Sequence, residues 1–244
     1  MSEEPRVGRE LPPRTFEVSA ELLDHHYGGL ALDPPGDAAP VPSMLASVPD
    51  SWFSVASGYR NAFGNLWMRQ EWELRQPLQL GQTYDASARI VDIYRKRDRT
   101  VVNTQMTLRD ASGELAATAR HHQSYLLEQQ SGKVALRDPR QKEGSRRFQV
   151  PDGKPLEPLD REITLEMCGL FFHGQASYHT DKKVSQELGF EDVVVGGRMT
   201  MAYVGELLER HFGEPWWRSG TLDVKFTNIV WPGEHVTVRG VETT

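Results

Sequence analysis

The feature that most constrains this chain is a set of four segments with strand periodicity between residues 67 and 127. Residues 67–74, 84–94, 100–109 and 115–127 are rich in alternating, β-branched and aromatic side chains. They are separated by 77–81 with its proline and glycine, by the charged run Arg95-Lys96-Arg97-Asp98-Arg99, and by 110–113 ending in Gly113. Parallel neighbours need a long crossover, whereas connections this short join antiparallel ones. An antiparallel meander is therefore expected.

On the N-terminal side, Ser19 followed by Glu21 and Leu22 forms a helix-start signal within 15–23, and 43–48 forms another. Between them, prolines 34, 35, 40, 42 and 49 exclude long regular structure over 33–49. Residues 128–160 are polar, with prolines 139, 151, 155 and 158, and read as a linker. The expected organisation is a first unit over 1–127, a linker over 128–160 and a second unit over 161–244.

Chemistry concentrates in 171–203. A Tyr178-His179-Thr180-Asp181 turn precedes a helix-compatible run, 182–188, with Asp181 as its natural N-cap and Gly189 as its stop. Val193, Val194 and Val195 then run into Gly196 and Gly197. From Arg198 a second helix opens with Met201, Val204, Leu207 and Leu208 at helical spacing. Imidazole, with an ordinary pKa of about 6.5, takes and returns protons near neutrality. A helix N-terminus stabilises developing negative charge. The plainer readings stand beside these: a surface-loop histidine, and a glycine pair serving a turn with positive φ.

The order histidine loop, Gly189-Phe190, valine run, Gly196-Gly197 and long helix, followed by Phe226 and Pro232-Gly233, resembles the MaoC-like hydratase and dehydratase family of the hot-dog fold. The resemblance implies an α+β fold, an antiparallel sheet wrapped around a central helix. It implies an enzyme, a carbon-oxygen lyase interconverting 2-enoyl and 3-hydroxyacyl thioesters of coenzyme A or an acyl carrier protein, without a cofactor. It assigns acid–base work to His179 and the thioester carbonyl to the Gly197 amide. Family members keep an aspartate five residues before the histidine in Asp-x-Asn-Pro-x-His; here those positions hold Gly174, Ala176 and Ser177. Gln175 and Ser177 are the expected catalytic helpers, with His173 nearby, and Gly196, Arg198, Tyr178 and Met199 the expected substrate contacts. Arg198 is placed at the rim or in solvent. Two alternatives remain open: a non-catalytic acyl-thioester-binding or partner subunit, and a hot-dog thioesterase.

A faint repeat at an offset of 152 aligns Leu74, Pro77-Leu78, Gly81 and Tyr84 with Phe226, Ile229-Val230, Gly233 and Val236. Carried back without a gap, it sets Tyr27 opposite His179. Two tandem hot-dog units are thus expected, the first lacking the chemistry and the second lacking two strands at its C-terminal end. A fragment of a longer protein, or an edge near 236–241 covered by a second copy or a companion subunit, follows from that shortfall.

Other classes fall away. A net charge of -6 disfavours nucleic acid and anionic membranes as bulk partners. One cysteine, Cys168, excludes an intramolecular disulfide and suits the cytoplasm. The N-terminus carries no apolar signal core, and no run is long enough to span a membrane. Phosphate-binding glycine loops and a Gly-x-Ser-x-Gly elbow are absent. The adjacent pairs His25-His26 and His121-His122 give no helical metal face, and Trp216-Trp217 are expected in a loop at a pocket mouth.

Overall fold

The computed structural model describes residues 3–34, 40–136 and 151–243. Parts of two sequence expectations, the proline-rich stretch at 35–39 and the linker at 137–150, lie outside them. The first unit runs β1 (Glu10–Glu17), α1 (Ala20–Leu30), a 3-10 helix (Ser43–Ala46) continuing into α2 (Ser47–Ala56), β2 (Leu66–Leu74), β3 (Thr83–Lys96), β4 (Arg99–Arg109) and β5 (Leu115–Tyr125). The second runs β6 (Lys154–Pro155), β7 (Leu159–Glu162), α3 (Leu165–Phe171), α4 (Lys182–Glu187), α5 (Gly197–Phe212), α6 (Glu214–Ser219), β8 (Thr221–Lys225), β9 (His235–Val238) and β10 (Val241–Glu242).

Local chemistry accounts for the helix starts. Ser19 caps α1 by accepting from the Leu22 amide at 3.2 Å, and Asp181 caps α4 by accepting from Lys183 and Val184. The four strand segments form an antiparallel meander as expected, inside a six-stranded sheet ordered β1-β3-β4-β5-β2-β8. β3 shows why its face is fixed: Tyr84, Ala86, Ala88 and Ile90 are buried while Thr83, Asp85, Ser87 and Arg89 are exposed. Small Ala86 and Ala88, with Ala117 and Ala119 on β5, lie in the same core as Met44, Leu45 and Phe53 of the helical segment.

Two units of one kind meet at this sheet, to which the second contributes β8, while its β7–β9 and β6–β10 pairs form separate two-stranded sheets. β7 pairs with β9 as β1 pairs with β3, antiparallel in both cases. Gly81 donates to the Val18 carbonyl and Val18 to Gln82; likewise Gly233 donates to Ile163 and Ile163 to Glu234. Both glycines have positive φ, 76° and 90°. β2 meets β8 with Glu71 opposite Asp223, two residues that are themselves 152 apart, so the pseudo-twofold axis passes between them.

The structure corrects the ungapped alignment. Val18 matches Ile163, an offset of 145, while Gly81 matches Gly233, an offset of 152. The counterpart of Tyr27 by helix position is therefore Phe172, not His179. A net of seven residues is thus added between the two matched pairs, and the largest difference lies between the first helix and the central helix. There the connection runs over 172–196, against 31–42 in the first. Among the described residues, the second unit has β9 beside β7 and no counterparts of β4 and β5.

Candidate active site

The long connection of the second unit folds back on itself before it reaches α5. The Asp181 and Thr180 amides donate to the Ser177 carbonyl, the Thr180 hydroxyl donates to Gln175 O at 2.6 Å, and the His179 amide donates to Ser177 Oγ at 3.2 Å. Ser177 thus shapes the turn that holds His179. The Val194 amide donates to the Tyr178 carbonyl, and His179 Nδ1 lies 2.8 Å from the Val194 carbonyl. A carbonyl only accepts, so Nδ1 carries the proton and Nε2 keeps a free lone pair.

The imidazole stacks on Phe172, with ring centroids 4.7 Å apart and planes at 15°, and touches Tyr178 on its other side. Burial pulls its pKa down to about 4; Arg198 adds to the shift and the Val194 hydrogen bond opposes it. Near neutral pH it is an uncharged base. Tyr178 is pushed up to about 12 by burial and stays a phenol.

α5 begins in front of this ring, with Gly196 as N-cap and no capping side chain. Its first amides therefore face the cavity without a side-chain acceptor. The glycines are required by close approach. A Cβ on Gly196 would lie 2.3 Å from Phe172 Cζ, and one on Gly197 would lie 2.8 Å from Trp67 Cε3. Neither residue has positive φ, so the turn reading of this pair does not apply.

These groups line one cavity of about 950 Å³, whose other wall comes from β1, α1, α2 and the β2 and β5 strands. His179, Tyr178, Ser177, Gln175, Gly196, Gly197 and Arg198 all line it. Met199 does not; its side chain is fully buried in the core. Arg198, expected at the rim or in solvent, instead reaches inside. Its Nε donates to Ser47 Oγ at 3.2 Å and its guanidinium carbon lies 5.2 Å from the Phe171 ring centre and 5.8 Å from that of Phe172. Burial lowers its pKa to about 10, with Asp50 opposing.

The first unit contributes a group that the sequence reading did not find. His121 Nδ1 is 2.8 Å from Asp50 Oδ2, and both side chains are almost fully buried. Trp67 lies flat on the His121 ring, 4.4 Å away at 6°, and also meets Phe226. The pair joins α2 to β5 across 71 positions of sequence, and no local motif signals it.

The other expectations resolve as follows. His121 and His122 do point to opposite sides of β5, the latter toward Glu71 and Tyr94. His25 and His26 lie on a helix, not a strand. There His25 sits one turn from Glu21 and stacks against His173, and the donor atoms of the three lie within 4.8 Å of one another. Trp216 and Trp217 lie on α6, buried and away from the cavity, donating to Ser43 Oγ and the Val41 carbonyl. Cys168 is buried, its thiol pushed up to about 11. No helix among the described residues is long and apolar enough to cross a membrane.

Comparison with known proteins places this geometry. Residues 149–244 match the family model described as MaoC like domain. No curated protein matches in sequence. A MaoC-like dehydratase from Phytophthora capsici superposes with a TM-score of 0.69 at 16% identity, covering 94% of this chain and 84% of that one. The peroxisomal multifunctional enzyme type 2 of Drosophila melanogaster superposes at 0.68 and 17% identity; 92% of this chain is covered, but it spans only 42% of that enzyme. A Mycobacterium tuberculosis protein described as having a double hotdog fold gives 0.61 at 16% identity over 96% of this chain and 83% of its own. Residues 149–244 thus match a MaoC-like domain, and the chain has the double hot-dog fold that these solved structures share.

Proposed function

We propose that the protein is a hydratase or dehydratase interconverting 2-enoyl and 3-hydroxyacyl thioesters. The observation that carries this reading is His179, its Nδ1 proton tied to Val194 and its Nε2 free, beside the uncapped start of α5 in a cavity large enough for an acyl thioester. In hydration, His179 Nε2 takes a proton from water as the water oxygen bonds to C3. Charge moves to the thioester oxygen, which faces the Gly197 amide and the helix dipole. His179 then returns the proton to C2, so that the elements of water are added and the base is regenerated. Gln175 orients the water and Ser177 holds the histidine turn. The carrier, coenzyme A or an acyl carrier protein, belongs to the same proposal, as does a homodimer or companion hot-dog subunit along the free edge of β9.

One observation favours a second reading. Position 174, where the family keeps its aspartate, is an exposed glycine at φ 65°, which suits a subunit that binds acyl thioesters without turning them over. Incubation with crotonyl-coenzyme A separates the cases. Loss of enoyl absorbance with formation of 3-hydroxybutyryl product is expected. Binding without conversion supports the second reading, and release of free thiol indicates a thioesterase.

A further inference from the structure

Arg198 is a cation with no direct ion pair; the charge of Asp50 acts on it only through space. Among the described residues no carboxylate comes within ion-pair distance of it. Its one protein hydrogen bond is from Nε to Ser47, which leaves the two terminal nitrogens of the guanidinium unused. Asp50, which does not line the cavity, accepts from His121 through one oxygen, and its other oxygen is buried without a hydrogen-bond partner among the described residues. Among the described residues, the only acidic side chain lining the cavity is Glu17, which is exposed on β1.

The surroundings make an unpaired charge costly here. Phe171 and Phe172 flank the guanidinium, and His26, His173 and His179 all have their pKa values lowered in part by its charge. Burying a charge is unfavourable unless something pairs it. Guanidinium presents a planar fork that matches a carboxylate in two parallel hydrogen bonds. The start of α5, from whose first turn Arg198 projects, adds positive potential at the same place.

We propose that the acyl group of the substrate carries a second, free carboxylate, and that Arg198 receives it inside the cavity while the thioester lies at His179 and Gly197. The assignment of the thioester rests on the function proposed above; the anion site rests on Arg198 itself. The substrate class is thus a dicarboxylic monothioester rather than a simple fatty acyl chain. Arg198 is a specificity residue, and it distinguishes two acyl chains of equal length by a terminal methyl or carboxylate.

Binding and turnover test the two ideas separately. Glutaryl-coenzyme A and pentanoyl-coenzyme A are saturated and unreactive toward hydration, so calorimetric titration with each reads recognition alone. The wild-type protein is expected to bind the glutaryl thioester roughly 10- to 100-fold more tightly. Arg198→Met is expected to erase that difference, and Arg198→Lys to restore part of it, because the charge returns without the fork. Equal or weaker binding of the glutaryl thioester by wild type overturns the proposal, even if the methionine variant fails to fold. So does a methionine variant that loses both ligands equally, since Arg198 would then act on the shared thioester or carrier. Turnover of glutaconyl- and pent-2-enoyl-coenzyme A reports on the lyase reading: a binding preference without conversion of either removes the lyase and leaves the anion site standing. Efficient conversion of the pentenoyl thioester with discrimination against the glutaconyl one does the reverse.

Discussion

The two units of this chain differ most in the segment between the first helix and the central helix. In the first, α1 packs His26 and Tyr27 into the core, and the chain reaches Ser43 after a short connection. In the second, the equivalent helix ends at Phe171, and a connection about twice as long builds the Ser177–Asp181 turn, α4 and the valine run before Gly197. The matching loops at Gly81 and Gly233 show that the frame is the same. In the proposed chemistry the acid–base group comes from what is inserted into the frame, while the shared parts mainly bury apolar surface. Histidines of both units line the cavity, but His121 has both ring nitrogens bonded, to Asp50 and Gln123, whereas His179 has Nδ1 fixed by the Val194 carbonyl and Nε2 left for a substrate. His26 is nearly fully buried, and desolvation, helped by Arg198, pulls it down to about 3.

The sharpest way to break this contrast is to remove each histidine. His179→Ala is expected to lower turnover by about 10²- to 10⁴-fold with substrate affinity little changed, as loss of a general acid–base does. His26→Ala is expected to lower the melting temperature while the chemical step survives in the folded fraction. If single-turnover rates show the reverse, the site has been placed in the wrong unit.

A smaller effect is expected from the buried pair of the first unit whose His121 lines the cavity. Asp50→Ala leaves His121 Nδ1 without its buried partner, which should cost roughly 1–3 kcal/mol in denaturant unfolding. Turnover per folded molecule is expected to hold within about threefold, because no acid–base role falls to Asp50 in the proposed chemistry. Should turnover collapse in protein shown to be folded, the chemistry draws on both units, and Asp50 takes over the task of the carboxylate missing at position 174.

These contrasts explain what could be read in the residues and what could not. The meander was legible because alternation and short turns are local: β2, β4 and β5 fall within a few residues of the expected strands, and β3 extends at both ends. Asp181 and Gly189 were legible for the same reason. The seven-residue difference between units was not. The matching glycine turns fix the offset only downstream, and nothing in the sequence marks where residues were added upstream. Arg198 was misplaced because its neighbours Ser47 and the pair Phe171-Phe172 come from two segments distant from it in sequence. Its exposure depends on how the two units dock, and helix periodicity carries no information about that.

The smallest expected effect concerns the joint between the units. Glu209 on α5 accepts from both the amide and the hydroxyl of Ser43 on the 3-10 helix of the first unit, at 2.7 and 2.5 Å. Burial, opposed by these two bonds, pushes its pKa up to about 7. The folded protein therefore binds this proton more tightly than the unfolded chain, whose carboxyl titrates near 4.5. Glu209 adds stability as pH falls from about 7 toward 4.5 and is neutral in effect above that window. His26 and His179 act with the opposite sign. They stay uncharged in the fold down to about 3 and 4 but gain protons near 6.5 when unfolded, so they remove stability as pH falls below 6.5. Glu209 thus offsets part of the acid sensitivity that the two histidines create. Glu209→Gln keeps an oxygen for Ser43 and removes the titration. Its unfolding free energy, measured in urea, should fall more steeply than that of the wild type between pH 7 and pH 5, while the two proteins run parallel from pH 7.5 to pH 9. Parallel curves across the acidic window as well would mean that Glu209 is ionised throughout, and that the joint is a plain charged hydrogen bond with no pH dependence of its own.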